Sequence, residues 1–413
     1  MVRSEADERY KRCVLELERF GDRLSASPRE HAAAEYLVEQ LRAAGLEVEK
    51  QAFRGASSHG ARFLVHVLLA CAGIAAGWRW PLAGAALAAA ALASLVAEQM
   101  TYGVWLSRLV CRSRSYNVVG RLRPSGRPVR RVIVSAHYDT QRRGWIWAPA
   151  RVLVPLQARL PPTLMQPFLL LNLLMLLQVA AGVLAAFVPG LAALRYPVVV
   201  LWCGYGIFIV LLGQWAFAPA VPGGADNGSG VAAAIEIAEA WAQQPPSESV
   251  ELLVLLTGCE ETGLLGAAAW LDAHRDDDPP LPTVAVNVDG IGFGPPRFLG
   301  AEVPAAGVAL RIPAWLNAVC QRVATDLGLD AGPHALPGPT DTLAFLARGV
   351  PAVSIVGFRD GFRLPHYHTP RDTAANMDFA VAAGGRTFAA AVVRAVASQA
   401  LSALENSRST LGK

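Results

Sequence analysis

The stretch Val250-Glu251-Leu252-Leu253-Val254-Leu255-Leu256-Thr257-Gly258-Cys259-Glu260-Glu261-Thr262-Gly263 decides the fold. Its first seven residues form an almost unbroken apolar run, the pattern of a strand buried on both faces in a parallel sheet. The Glu260-Glu261 pair follows where that strand ends. In open α/β sheets ligands bind at that edge. Neighbouring side chains there point to different sides, so one glutamate can hold a metal while the other moves a proton. Two solvated acids in a turn would read the same way, so the rest of the chain decides between them.

The chain has 413 residues, enough for two or three domains. Hydrophobic residues make up 53% and charged residues only 17%, which points to membrane segments. The net charge of +4 is mild and Arg is dispersed, so the composition gives no case for a nucleic-acid partner. The six cysteines are scattered, with no CxxC pair and no disulfide framework. Met1 to Cys13 is charged and lacks an apolar core, so no secretory signal peptide is expected.

Soluble patterns open the chain. Residues 6–22 read as a polar-faced helix. Ser27-Pro28-Arg29-Glu30 reads as a capping box with Pro at the first helical position, starting a helix that runs to Ala44 before Gly45. Residues 46–53 alternate like a strand, and 115–122 and 131–136 read as two more. The last of these ends in Ser135-Ala136-His137-Tyr138-Asp139-Thr140. From Pro222 onward strands at 250–256, 284–288 and 352–356 alternate with helices at 230–241, 264–274, 313–327, 342–347 and 380–401. That alternation predicts an α/β fold, a mostly parallel central sheet with helices on both faces.

Four apolar stretches interrupt this pattern. Phe63–Trp78 and Leu82–Val96 are slightly short for the roughly 20 residues of a spanning helix and would borrow flanking residues, or lie as an interfacial hairpin. The stretches at 164–188 and 196–217 are long enough to cross. Between strand and second hairpin, residues 141–163 place Trp145, Trp147, Arg151 and Arg159 among prolines, the look of an amphipathic interfacial segment. The expected layout is an α/β domain in pieces (1–60, 107–140 and 218–413), a first apolar hairpin at 61–106, an interfacial segment at 141–163 and a second hairpin at 164–217. Arg54, Arg62, Arg108, Arg112, Arg114, Arg142, Arg143, Arg151 and Arg159 flank the segments on one side; only Arg79 and Arg195 lie in the opposite turns. That asymmetry places the soluble part in the cytoplasm. The apolar segments lack the paired charges of a transporter.

Five candidate metal ligands sit at or just beyond strand ends or in loops: His137, Asp226, Glu261, Asp289 and His368. Two imidazoles and three carboxylates suit two zinc ions sharing a carboxylate, though cobalt or manganese would also be accommodated. Asp139, two residues after His137, lies on the same side of extended chain and can orient the imidazole. Asp226 lies in Gly223-Gly224-Ala225-Asp226-Asn227-Gly228-Ser229-Gly230; a phosphate cradle is a poor alternative, since no Gly-Lys-Ser/Thr follows. His366 competes with His368 for the last ligand position.

His137-Tyr138-Asp139-Thr140, Gly224-Ala225-Asp226-Asn227-Gly228-Ser229-Gly230, Glu260-Glu261-Thr262-Gly263, Asn287-Val288-Asp289 and His368-Thr369-Pro370-Arg371-Asp372-Thr373 occur in the order of a known family. The chain resembles the zinc aminopeptidases of metallopeptidase family twenty-eight, whose relatives include glutaminyl cyclases and receptor-like proteins. The resemblance covers roughly 27–54, 115–140 and 222–400. It implies that Asp226 bridges two zinc ions, that His137 and Asp289 complete one site and Glu261 and His368 the other. It further implies that Glu260 is the general base and Asp139 orients His137. It favours His368 over His366, and sets Asp341 of Thr340-Asp341 behind the site. The expected activity is removal of an N-terminal residue from a peptide by a membrane-bound di-zinc enzyme. Glutaminyl cyclisation and a non-catalytic membrane receptor or scaffold are the rival readings. The chain departs from soluble relatives in the long connection between His137 and Asp226, so substrate specificity does not carry over.

Overall fold

The structure is a computed structural model and describes residues 2–147, 166–188, 195–245, 247–277, 281–304, 306–359 and 364–399. Nine strands are described: β1 (Glu47–Gly55), β2 (Ser113–Leu122), β3 (Arg130–His137), β4 (Val250–Thr257), β5 (Thr283–Asp289), β6 (Pro296–Glu302), β7 (Leu310–Arg311), β8 (His334–Leu336) and β9 (Ala352–Gly357). They form one sheet in the order β1-β2-β4-β3-β5-β9-β6-β7, with β8 beside β6. The centre, β4-β3-β5-β9, is parallel. The flanking pairs β1–β2, β2–β4 and β6–β9 are antiparallel, so the sheet is mixed with a parallel heart.

Every residue of β4 is buried, as its continuous apolar run demands. Alternation sorts the faces of the parallel strands. Val132, Val134 and Ala136 of β3 join one core, with Leu252, Val254 and Leu256 of β4. Ile133, Leu253 and Leu255 join the other. Helices α1 (Val2–Arg19), α2 (Pro28–Ala43), α7 (Ser229–Gln243), α9 (Ala314–Asp326) and α11 (Phe379–Ala397) supply the first core. Helices α8 (Leu265–Ala273) and α10 (Asp341–Leu346) supply the second. The cap at α2 is real: Ser27 Oγ accepts the Glu30 amide at 3.2 Å. Glu30 does more than a capping box requires. It is fully buried, accepts the Ala26 amide at 2.9 Å and takes the Ser115 hydroxyl at 2.8 Å, tying helix start to β2.

Four long helices form a separate bundle: α3 (His59–Gly77), α4 (Pro81–Thr101), α5 (Pro167–Phe187) and α6 (Arg195–Phe217). The first two do borrow flanking residues, reaching 19 and 21 residues. Their close approach depends on small residues: a Cβ at Gly84 would lie 2.5 Å from the Gly73 carbonyl oxygen. Phe63, Val67, Leu95, Leu171, Met175, Leu201, Tyr205 and Trp215 fill the bundle core. The outward face is also apolar, with Leu170, Leu173, Leu176, Leu184, Phe187, Val199, Val200, Ile207, Val210 and Phe217 exposed. In water each such side chain would forgo about 1.5–3 kcal/mol of burial, against a total stability of about 5–15 kcal/mol for an ordinary domain.

Five described helices are long and apolar enough to cross a membrane, the fifth being α11. That helix belongs to the globular part. Its Phe388, Ala389, Val392 and Val396 face the sheet, and Arg386 bonds Glu236 on α7 at 2.6 and 2.7 Å.

The expectation that the apolar segments lack paired charges is corrected here. α3 begins at His59 and α4 runs to Thr101, so both helices take in a charge. Arg62 and Glu98, 4% and 6% exposed, meet at 3.0 Å. Glu98 also accepts the amides of Trp105 and Ser107, each at 2.9 Å. His66 sits alongside, bonded to Ser94 at 3.0 Å.

Candidate metal centre

Parallel pairing brings three strand ends to one edge. His137 of β3 stands beside Thr257 of β4, and Asp289 closes β5. Beyond Thr257 the chain turns through Cys259, at φ 54°, into Glu260 and Glu261. The loop before α7 delivers Asp226, and the turn after β9 delivers His368, itself at φ 53°. Two non-glycine residues in the left-handed region mark locally strained backbone at the site.

The five side chains converge on Asp226. One of its oxygens lies 3.1 Å from His137 Nε2 and the other 3.2 Å from His368 Nε2. Asp289 approaches His137 Nε2 at 3.5 Å, and Glu261 approaches His368 Nε2 at 3.5 Å. Glu260 stands further back, 3.9 Å from His137. The carboxylate of Asp226 thus faces two half-sites, one with His137 and Asp289, the other with His368 and Glu261. His366 turns aside and lines a different cleft, with Phe293 and Met377.

Electrostatics follow from burial and crowding. Burial disfavours charge on His368, yet the Glu261 and Asp226 carboxylates outweigh it and push its pKa up to about 9. The same contest, with Glu260 and Asp289 prevailing, raises His137. Burial lifts Glu260 well above the usual carboxylate range despite His137, with Glu261, Asp341 and Asp289 adding to it. Burial likewise raises Glu261, to about 7.

The surrounding shell is dense. Asp139 takes the amides of Glu260 and Glu261 on its carboxylate, at 3.1 and 3.2 Å, and accepts the Ser25 hydroxyl at 2.6 Å. His137 Nδ1 lies 3.2 Å from the Asp139 carbonyl and 3.6 Å from its carboxylate, so the nearer contact to the ring is the main chain. Asp341 accepts the Thr257 hydroxyl at 2.6 Å, and burial raises its pKa to about 7.

Four further residues support the site, of which Arg23 and Gln141 lie outside every quoted motif. Arg23, fully buried, donates to the carbonyls of Tyr138, Pro222 and Gly223 at 2.7–2.9 Å, joining the His137 strand to the Asp226 loop. Asn227 accepts the amides of Gly230 and Gly290 and donates to Val288, joining that loop to the Asp289 turn. Asp372, inside the quoted His-Thr-Pro-Arg-Asp-Thr element, accepts the Ala225 and Asp226 amides at 2.8 and 3.2 Å. Gln141 donates to the Glu261 carboxylate at 2.8 Å and accepts the Trp215 indole N–H at 3.1 Å. Trp215 is on α6, so a bundle helix reaches the ligand set through one side chain.

The donor set fits zinc. His137, Asp226 and Glu261 place potential ligand atoms within 4.8 Å of one another, as do His137, Glu260 and Asp289. Glu261 Oε1 and both His368 ring nitrogens are buried without a hydrogen-bond partner among the described residues. Buried polar atoms left this way are costly unless a ligand or ion meets them. Imidazole and carboxylate together are zinc donors.

The model of peptidase family M28 matches residues 212–392. No curated protein matches the chain. Among solved structures, a zinc-dependent exopeptidase from Parabacteroides distasonis superposes with a TM-score of 0.52 at 16% identity, covering 92% of this chain and 96% of that one. A zinc aminopeptidase from Bacillus subtilis gives 0.53 at 14% identity, with 94% of each chain covered. A glutaminyl cyclase from Bacteroides thetaiotaomicron, bound to N-acetylhistamine, gives 0.52 at 14% identity, covering 95% and 98%. Residues 212–392 hold Asp226, Glu260, Glu261, Asp289 and His368, and His137 joins them from β3. Over residues 212–392 the chain is therefore similar to peptidase family M28, and it has the fold of the zinc aminopeptidases.

Proposed function

We propose that this protein is a membrane-embedded aminopeptidase that holds two zinc ions and hydrolyses N-terminal peptide bonds. The observation carrying the reading is Asp226, whose two oxygens face His137 and His368 at 3.1 and 3.2 Å while Glu260 stands free behind them. His137, Asp226 and Asp289 would hold one ion, and Asp226, Glu261 and His368 the other. Bound zinc supplies Lewis acidity, polarising a carbonyl and easing deprotonation of water.

The chain's own residues do the rest. Glu260 takes a proton from the attacking water and returns it to the leaving amine. A carboxyl whose pKa burial lifts well above the ordinary carboxylate range holds a proton more readily, which suits it to both transfers. Asp139 fixes that carboxylate's backbone, and the backbone of Glu261, through two amide bonds. Gln141 pins one Glu261 oxygen and leaves the other for the ion.

Helices α3 to α6 would anchor the domain in the bilayer, their apolar outer face meeting lipid. The arginine asymmetry puts the peptidase part on the cytoplasmic side. The site would open beside the bilayer surface. Trp147 packs edge-on to His368 at 4.6 Å and to Trp215 of α6 at 5.2 Å, a continuous aromatic path from ligand to bundle. Residues 148–163 of the expected interfacial segment, Arg151 and Arg159 among them, lie outside the described residues.

Glutaminyl cyclisation stays the second reading, because a glutaminyl cyclase shares the fold. A peptide with N-terminal glutamine separates the two. Release of free glutamine supports the peptidase reading, and accumulation of the pyroglutamyl peptide overturns it.

A further inference from the structure

The hairpin α3–α4 does more than flank the catalytic edge. A cleft lies between these helices and the loops at Gly263 and Pro339, walled by Phe63 and Leu95. Gly263 follows Glu260-Glu261-Thr262 directly, so one wall of the cleft continues the candidate catalytic loop. That loop is clasped from the helix side, since the Arg62 guanidinium donates to the Thr262 carbonyl. Gly263 sits at φ 109°, and a Cβ there would fall 2.2 Å from Arg62 Nη1, so only glycine lets the loop lie against the hairpin.

Two residues lining this apolar cleft each carry a buried polar atom without a partner among the described residues: Gln99 Nε2 and the Tyr102 hydroxyl. Both residues are 5% exposed. The Gln99 amide is half used, its oxygen accepting from Asn172 at 3.0 Å. Burial, then the Glu302 and Glu260 carboxylates, keep the Tyr102 phenol neutral and place it within their field. Polar groups kept in apolar surroundings with nothing to bond are a ligand signature.

The chemistry selects the ligand. Charge in the cleft is spent: Arg62 bonds Glu98, Ser107, Gly103 and Thr262, and Glu98 bonds two backbone amides. Among the described residues lining the cleft, no free guanidinium or ammonium is left for a phosphate headgroup or a carboxylate. What is offered is an amide donor and a hydroxyl, with the His59 ring beside them, amid apolar walls, which suits a peptide group beside an apolar side chain. We propose that the cleft is a substrate subsite, built by the membrane hairpin, for an apolar residue next to the scissile bond, with Gln99 and Tyr102 bonding its main chain. This rests on the peptidase reading of the neighbouring centre.

The test uses the full chain in detergent and a blocked peptide probe, N-acetyl-photoleucyl-leucinamide, which has no free amine. After irradiation, digestion and mass spectrometry should find the label on fragments holding Phe63, Leu95 or Gly263. Gln99→Leu and Tyr102→Phe should each lower that labelling about tenfold, the scale of a lost hydrogen bond in buried surroundings. In parallel, the kcat/KM preference for peptides with large apolar residues over alanine should fall by a similar factor, through KM. Label confined to other surfaces, variants that label like the parent, or a photoreactive phosphatidylcholine that takes these fragments in place of the peptide would overturn the subsite. Label in the cleft of a protein that hydrolyses no peptide would support the subsite and sink the peptidase reading alone.

Discussion

At the scale of single residues the division of labour is between Glu260 and Glu261. They are neighbours, yet one faces His368 at 3.5 Å and the other stands 3.9 Å from His137. Glu260→Gln should retain zinc while turnover falls about 10²–10⁴-fold, the range for a lost general base. Glu261→Gln should instead weaken zinc retention, read by metal content after dialysis. Near-normal turnover in the first variant would contradict the assignment. Protons compete for the same atoms. With the imidazole of His368 raised to about 9 in the metal-free chain, zinc must displace a proton there at neutral pH. Zinc affinity should therefore rise with pH up to about 9 and fall steadily as pH drops; an affinity flat between pH 6 and 8 would contradict this.

The candidate ligand residues stand out in the sequence because each sits in a short motif, at a strand end or in a loop. Their supports were not. Gln141 carries no spacing signal, since an amide that bonds Glu261 and Trp215 looks like any loop glutamine. Arg23 gives no hint of its burial. Asp372 was in view within its motif, but only the fold brings it under the Asp226 amide.

At the scale of elements the bundle and the sheet share the Glu260–Gly263 loop. From one side α6 reaches it through Trp215 and Gln141; from the other α3 reaches it through Arg62. Gln141→Leu should leave the sheet intact but loosen Glu261, weakening zinc binding about 10–100-fold as removal of a ligand's hydrogen-bond partner does. Zinc titration of that variant against the parent gives the answer. Arg62→Met strands Glu98, and breaking a buried pair from one side costs about 3–5 kcal/mol. That loss should appear as a clear drop in unfolding temperature, with the double variant Arg62→Met, Glu98→Gln partly restoring it. The parallel strands were readable from their apolar runs, and α2 from its cap. Strands β6, β7 and β8 were not, because Pro296, Gly300 and their brevity hide any alternation. The Arg62–Glu98 pair was hidden by 36 residues of separation and by lying just outside the apolar windows.

At the scale of the molecule, the proposed crossing of a bilayer by two hairpins, each returning the chain to its starting side, would leave all soluble parts on one side. Reporter fusions at Lys413 and near Arg195 should then report opposite sides, with the C-terminus cytoplasmic; an external C-terminus would reverse the orientation. The enzyme itself is tested most directly by zinc reconstitution of the purified full-length chain. Chelated protein should release no free N-terminal amino acid from an apolar peptide, and release should return as zinc is added, saturating at two ions per chain. A chain that binds two zinc ions and still releases no amino acid, or releases it equally well without metal, would contradict the account.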